Sequence, residues 1–224
     1  LTLRFREANP QFRDLAWEGD TVYFQNAVRE RWRTEAFGGW SEQLRRIKAT
    51  VVIFQFGKME SFDGIGKIAQ FTEAYGKLID ELTGEGRRAI LLAPSPFEWP
   101  AARERAALAS YTEAVATLAK NRKIPFITSD QANSVKAFIR GLTGKTEPNG
   151  PLYKQVRFTV REKHRLWVEY WRPTNWKCIF GDDSKRIFSK ASHGRPSIQE
   201  EWATYPALIQ AAENAIQEGV TWHA

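Results

Sequence analysis

The sequence holds one cysteine, Cys178, one methionine, Met59, and three histidines, His164, His193 and His223. A single thiol excludes an intrachain disulfide and a Cys-x-x-Cys zinc site. The histidines are scattered without ligand spacing, so neither a metal nor a cofactor is expected. No apolar run reaches the roughly 18 residues that a membrane span requires. No block of five consecutive Lys/Arg occurs, and bases are interleaved with acids, so nothing points specifically to nucleic acid. There is no signal-peptide pattern and no initiator Met. The chain opens at Leu1 inside ordinary domain sequence, and the expectation is a processed leader or a start partway through a longer protein.

What is present suits a folded domain. The 224 residues are 42% hydrophobic and 26% charged, enough apolar mass for a core and no sign of wholesale disorder. The net charge is +7, from 33 Lys+Arg against 26 Asp+Glu. That balance fits either a solvated basic surface or an anionic partner: a polyanion, a membrane surface or an acidic subunit. Nine tryptophans fit core and rim packing or a broad protein interface.

Along the chain, short apolar runs alternate with amphipathic stretches. Phe12 to Trp17, Thr50 to Phe56, Arg88 to Ala93 and Ile124 to Thr128 read as strands. The second and third are nearly continuous in apolar residues, as strands covered on both faces are. Between them lie helical patterns at Ser41 to Lys48, with Ser41 as N-cap, at Lys67 to Leu82 and at Ala101 to Asn121. The second carries Ile68, Phe71, Tyr75, Leu78, Ile79 and Leu82 on one stripe and stops near Gly84 and Gly86. Strands alternating with helices predict a parallel sheet covered by helices. After Asp130 the pattern turns helical. Ala132 to Leu142 reads as a short helix and Gly141 to Pro151 as a turn region. Leu152 to Tyr170 reads as a long helix with Val156, Val160, Trp167 and Tyr170 inward. Ile179 to Gly194 reads as an irregular basic loop. Ser197 to Gln217 is a last helix opened by a Ser197/Glu200 capping box. The expected organisation is an α/β core over 1–130 and a helical C-terminal extension over 131–224.

Four blocks carry a family resemblance. They are Leu15-Ala16-Trp17-Glu18-Gly19-Asp20-Thr21-Val22, Gly57-Lys58-Met59-Glu60-Ser61-Phe62-Asp63-Gly64, Leu92-Ala93-Pro94-Ser95-Pro96, and Tyr170-Trp171-Arg172-Pro173-Thr174-Asn175-Trp176 followed by Phe180-Gly181-Asp182-Asp183. In this order they resemble the SGNH (GDSL-type) hydrolases, specifically a subgroup found in large secreted proteins of planctomycete-like bacteria. The resemblance runs from about residue 12 to 215. It implies a doubly wound, three-layer α/β sandwich with a mostly parallel, flavodoxin-like sheet, and an exported, periplasmic setting, with a cytoplasmic one as the alternative. Gly57 lies 38 residues beyond Gly19, the separation expected between the second and third family blocks. Gly19-Asp20-Thr21 is therefore the oxyanion-glycine block and not the nucleophile block. The nucleophile block and the first strand would fall upstream of Leu1.

The resemblance implies acyl transfer by a Ser, a His base and an Asp three residues before that His. The oxyanion would be held by backbone N–H groups and an Asn side chain, each donor worth about 100- to 1,000-fold in rate. Carried onto this chain, the Ser has no position, Gly19 retains its N–H, and the Asn falls on Met59, whose thioether donates no hydrogen bond. The positions three before the histidines are Arg161, Lys190 and Val220, so the Asp-x-x-His is absent.

Other residues offer rival chemistry. Ser61 and Ser95 sit at strand ends, where open-sheet sites form, but serines there commonly cap turns. Glu60 and Asp63 fit an acid pair or N-terminal helix charges. Trp167, Trp171, Arg172, Asn175 and Trp176 fit an interface, a stacking platform or a packing cluster. The leading expectation is a catalytically degenerate SGNH-like domain serving as a structural or binding subunit, with other protein subunits as partners. The alternatives are a carbohydrate-ester esterase whose nucleophile lies upstream, and a basic surface binder of a polyanion or an anionic membrane.

Overall fold

A computed structural model describes residues 6–17, 19–23, 38–128, 151–186, 189–192 and 194–222. The expected boundary at 130/131, the helix at Ala132 to Leu142 and most of the Gly141 to Pro151 turn lie outside the described residues. The chain divides into two compact units, Ala16–Thr146 and a second built from Leu1–Leu15 with Glu147–Ala224.

The first unit is mixed α/β. Among its described residues the regular elements are α1 (Trp40–Arg46), β1 (Val51–Phe54), α2 (Ile68–Thr83), β2 (Arg88–Leu92), α3 (Ala102–Asn121) and β3 (Phe126–Ile127). The strands form a parallel sheet in the order β1-β2-β3, with Val51 opposite Arg88 and Leu91 opposite Phe126. Parallel neighbours need a crossover, and the two long helices supply it. α2 buries Phe71, Tyr75, Leu78, Ile79 and Leu82, the stripe expected from sequence, while Ile68 is half-buried. α3 buries Ala107, Tyr111, Val115 and Ala119 at the same helical spacing. Phe71 lies 5.0 Å from Tyr111, and Tyr75 lies 5.5 Å from both Phe56 and Phe71, centroid to centroid. Each such ring contributes roughly 1.5–3 kcal/mol by burial. Cover on both faces is less complete than expected for β1, where Ile53 is exposed and Val51 and Val52 are half-buried. The N-cap of α1 is Gly39, not Ser41, and no side chain caps it.

The second unit is helical: α4 (Pro151–Trp171), α5 (Trp176–Ile179) and α6 (Ile198–Glu218). α4 ends where Pro173 follows, and α6 opens with the expected capping box, Ser197 Oγ accepting from the Glu200 N–H at 3.2 Å and Glu200 accepting from the Ser197 N–H at 2.7 Å. α4 and α6 pack along their lengths. The buried face of α4 runs through Val156, Thr159, Lys163, Leu166, Trp167 and Trp171, whereas Val160 is exposed. The stretch expected as an irregular loop, Ile179 to Gly194, begins at the last residue of α5 and holds a 3-10 turn at Asp182–Lys185 and Ser192, which bridges antiparallel to Arg195 just beyond it.

The expected strand at Phe12 to Trp17 does not form. The segment runs without regular structure. Two of its backbone carbonyls are taken by side chains of α4: Lys163 Nζ donates to Phe12 O at 2.7 Å and Trp167 Nε1 to Asp14 O at 2.6 Å. Those bonds satisfy the peptide groups that a sheet would otherwise have to satisfy.

Candidate functional site

In open parallel sheets, ligands gather at the carboxyl ends of the strands. Here β1 runs into the Gly57 turn and two 3-10 turns, Glu60–Asp63 and Ile65–Lys67, and β2 runs into Ala93–Phe97. Three of the four resemblance blocks meet at this end. Gly57 adopts φ +112°, and a Cβ there would stand 2.9 Å from Pro94 Cγ, so the third block and the proline block touch where only glycine fits. The second block is tied in by Glu60, 1% exposed, whose carboxylate accepts from the Val22 N–H and the Gly57 N–H, both at 2.8 Å. Burial pushes the Glu60 carboxyl above its ordinary value, and the backbone N–H groups of Val22, Glu60 and Gly57 pull it only part of the way back. Glu60 is thus a clamp between chain segments. Asp63, the other half of the expected acid pair, is exposed.

Tyrosines surround this clamp. The Tyr111 hydroxyl donates to Gly64 O at 3.1 Å, and desolvation, helped by Tyr23, Asp63 and Glu60, pushes its phenol up to about 12. The Tyr23 hydroxyl is buried and has no hydrogen-bond partner among the described residues. Desolvation and the nearby Glu60 and Asp63 raise that phenol too. Ser61 Oγ donates to Lys58 O at 2.7 Å, so it caps the turn. Ser95 is half-buried.

Gly19 is exposed, in a left-handed conformation at φ +77°, with open space where a Cβ would stand. Met59 is 39% exposed at the start of the Glu60–Asp63 turn. Further apolar side chains lie bare at the same end: Phe62 at 55%, Ile65 at 66% and Trp99 at 93% exposure. Phe62 packs on Phe97 at 5.0 Å, Lys58 Nζ lies 5.1 Å from the Phe97 ring, and it donates to Pro96 O at 3.2 Å.

The fourth block lies in the helical unit. Trp167 and Trp171 are buried there and stack with centroids 6.1 Å apart. Arg172 is half-buried, with Nη2 3.4 Å from Asp14 Oδ2. Asn175 is exposed at the N-cap of α5, and Trp176 is half-buried under the Lys177 ammonium at 5.8 Å. Tyr170 stacks on Trp202 at 4.8 Å, and Trp202 Nε1 donates to Tyr170 O at 2.9 Å. The rings of Trp167 and Trp171 are therefore covered inside their own unit.

Sequence reasoning passed over a second cluster in the same unit: Arg13, Lys163 and Glu213. Its signal was available, since Lys163 falls on the stripe between Val156 and Leu166, and Glu213 falls on that between Ile209 and Ile216. Among the described residues, no group of three His, Cys, Asp or Glu could hold a metal ion, and no helix is long and apolar enough to cross a membrane. The chain matches no protein-family model, no curated protein and no solved structure.

Proposed function

We propose that this chain is a catalytically silent scaffold of the SGNH type, doubly wound in its α/β unit, that serves as a structural or binding subunit of a larger assembly. The observation that carries this reading is the apolar apron at the carboxyl end of the sheet. Where the resemblance asks for an Asn donor, Met59 stands exposed, with Phe62, Ile65 and Trp99 bare around the same turns. Bare aromatic and aliphatic groups rimmed by polar residues favour contact with a partner over hydrolysis. The glycine–proline contact and the Glu60 clamp support the family resemblance, because they join three blocks that lie far apart in sequence. The α/β unit Ala16–Thr146 also contains no histidine, so an imidazole base would have to come from outside it.

Two measurements test the proposal. The native full-length protein, and its Met59→Asn variant, should hydrolyse short acyl esters no faster than buffer. Turnover blocked by a serine-directed phosphonate would overturn the scaffold reading in favour of an esterase with an upstream nucleophile. A photoreactive group placed at Phe62 or Trp99 should cross-link to a protein subunit of the native assembly. Cross-linking only to a polyanion or to lipid, abolished by salt, would favour the basic-surface reading instead.

A further inference from the structure

The helical unit contains a cavity of about 380 Å³ between the 9–14 segment, α4 and α6. That volume is near the small end of the range for small-molecule sites, about 300–1,000 Å³. Phe12, Val160 and Ile216 give it apolar walls. Its charged floor is unbalanced. Arg13 forms a two-pronged ion pair with Glu213, with Nη2 2.8 Å from Oε2. Lys163 shares the same carboxylate at 4.0 Å and spends one N–H on Phe12 O. Lys163 is 8% exposed and Glu213 7%. Asp14, the other carboxylate at the cavity, faces Arg172 across 3.4 Å, and His164 lies on the exposed side. A buried ammonium and a half-buried guanidinium thus converge on one buried carboxylate, leaving one positive charge unbalanced beside the apolar walls of the cavity.

We propose that this cavity binds a small monocarboxylate with an apolar body, its carboxylate paired with Lys163 and its body against Phe12, Val160 and Ile216. An ammonium has three N–H donors, and only one is committed at hydrogen-bond distance, so donors remain for a ligand oxygen. Arg13 is committed to Glu213 by two N–H groups and also donates to Phe12 O at 3.2 Å and Gln11 Oε1 at 3.3 Å, so it orients the Glu213 carboxylate. Desolvation holds the Lys163 ammonium down to about 8, with Arg13 adding to the effect and Glu213 opposing it. An arriving anion relieves that penalty, so binding draws the proton more firmly onto Lys163. The site lies wholly in the helical unit and does not depend on the scaffold reading of the α/β unit.

The test is titration of the full chain with phenylacetate and with its neutral counterpart phenylacetamide, followed by calorimetry and by NMR. Phenylacetate should bind about 10- to 100-fold more tightly than the amide, the range expected for one charge-assisted hydrogen bond. Near pH 8.5, acid binding should take up protons from buffer, and amide binding should not. Lys163→Met should erase the preference for the acid while leaving Glu213 paired with Arg13. Should that variant fail to fold, Val160→Trp decides: it fills the cavity from an exposed position and should weaken acid and amide alike. Equal affinity for acid and amide, unchanged acid binding in Lys163→Met or Val160→Trp, or no acid binding up to about 10 mM would overturn the proposal.

Discussion

Glu60 offers the sharpest test of how the carboxyl end of the sheet is held together. Its two oxygens each accept one backbone N–H, from Val22 and Gly57, in a buried environment. Replacing it with Ala orphans both N–H groups, at about 1–3 kcal/mol each, and removes packing atoms, so a total loss of about 3–5 kcal/mol is expected. Glu60→Gln is subtler. The amide keeps the shape but turns an NH2 towards one of the two N–H donors, losing one acceptor. It also removes a charge that burial disfavours. The two effects separate with pH. A carboxyl whose folded-state pKa lies above its ordinary 4.5 contributes stability in full below the unfolded value and loses it as pH climbs through the folded value. A protonated carboxyl still offers lone pairs on both oxygens, which the amide does not. The gap between the natural protein and Glu60→Gln should therefore be widest in acid, at about 1–3 kcal/mol, and should narrow as pH rises. Urea unfolding of both proteins from pH 4 to pH 8, with hydrogen exchange at Val22 and Gly57, measures it. A gap that widens with pH would refute the reasoning, because it would mean that the N–H bonds outweigh burial. Unchanged exchange at Val22 in Glu60→Ala would refute the clamp itself.

Three further outcomes are expected. Gly57→Ala forces a Cβ into Pro94 and a side chain into φ +112°, so thermal melting should show a loss of about 1–3 kcal/mol, well beyond an ordinary glycine substitution. The Lys163 amine, held down to about 8 against an ordinary 10.5, binds fewer protons folded than unfolded between those values. Stability attributable to it should rise with pH across that window, by about 3 kcal/mol at most, so the natural protein should gain stability relative to Lys163→Met from pH 8 to pH 10 in denaturant titrations. Ser197→Ala removes half of the capping box of α6 and should lower stability by about 1 kcal/mol, with amide exchange at Glu200 accelerated.

Helices were the most legible part of the chain. α2, α3, α4 and α6 begin and end within a few residues of the positions expected from periodicity, glycine stops, Pro173 and the Ser197 box. Such signals are local: a helix closes its own hydrogen bonds, so its sequence carries most of its instructions. Three of the four expected strands were readable in place but too long, because a strand's ends depend on how much partner is available. β3 pairs over only Phe126–Ile127. Val160 shows the limit of periodicity. It sits one residue from the buried Thr159, and only the position of α6 decides which of the two faces inward.

The candidate sites were less legible for a related reason. The position of Met59 follows from a motif and Glu60 reads as an acid, but the role of Glu60 depends on which N–H groups surround it. Lys163 and Glu213 carried the signature of charges on apolar stripes, yet a charge on a stripe reads equally as a shifted helix face.

What the sequence by itself determined is the order of elements, the parallel α/β character of the first unit, the helical character of the second, and the absence of an intrachain disulfide. Each follows from composition or from patterns a few residues long. Only the tertiary structure decided that the Phe12 and Asp14 carbonyls serve α4 and not a sheet. It likewise decided that Glu60 bridges to Val22, 38 residues away, and that Arg13 meets Glu213 across 200 residues. Buried polar groups must find partners, and which distant donor or acceptor satisfies them is settled only when the chain has packed.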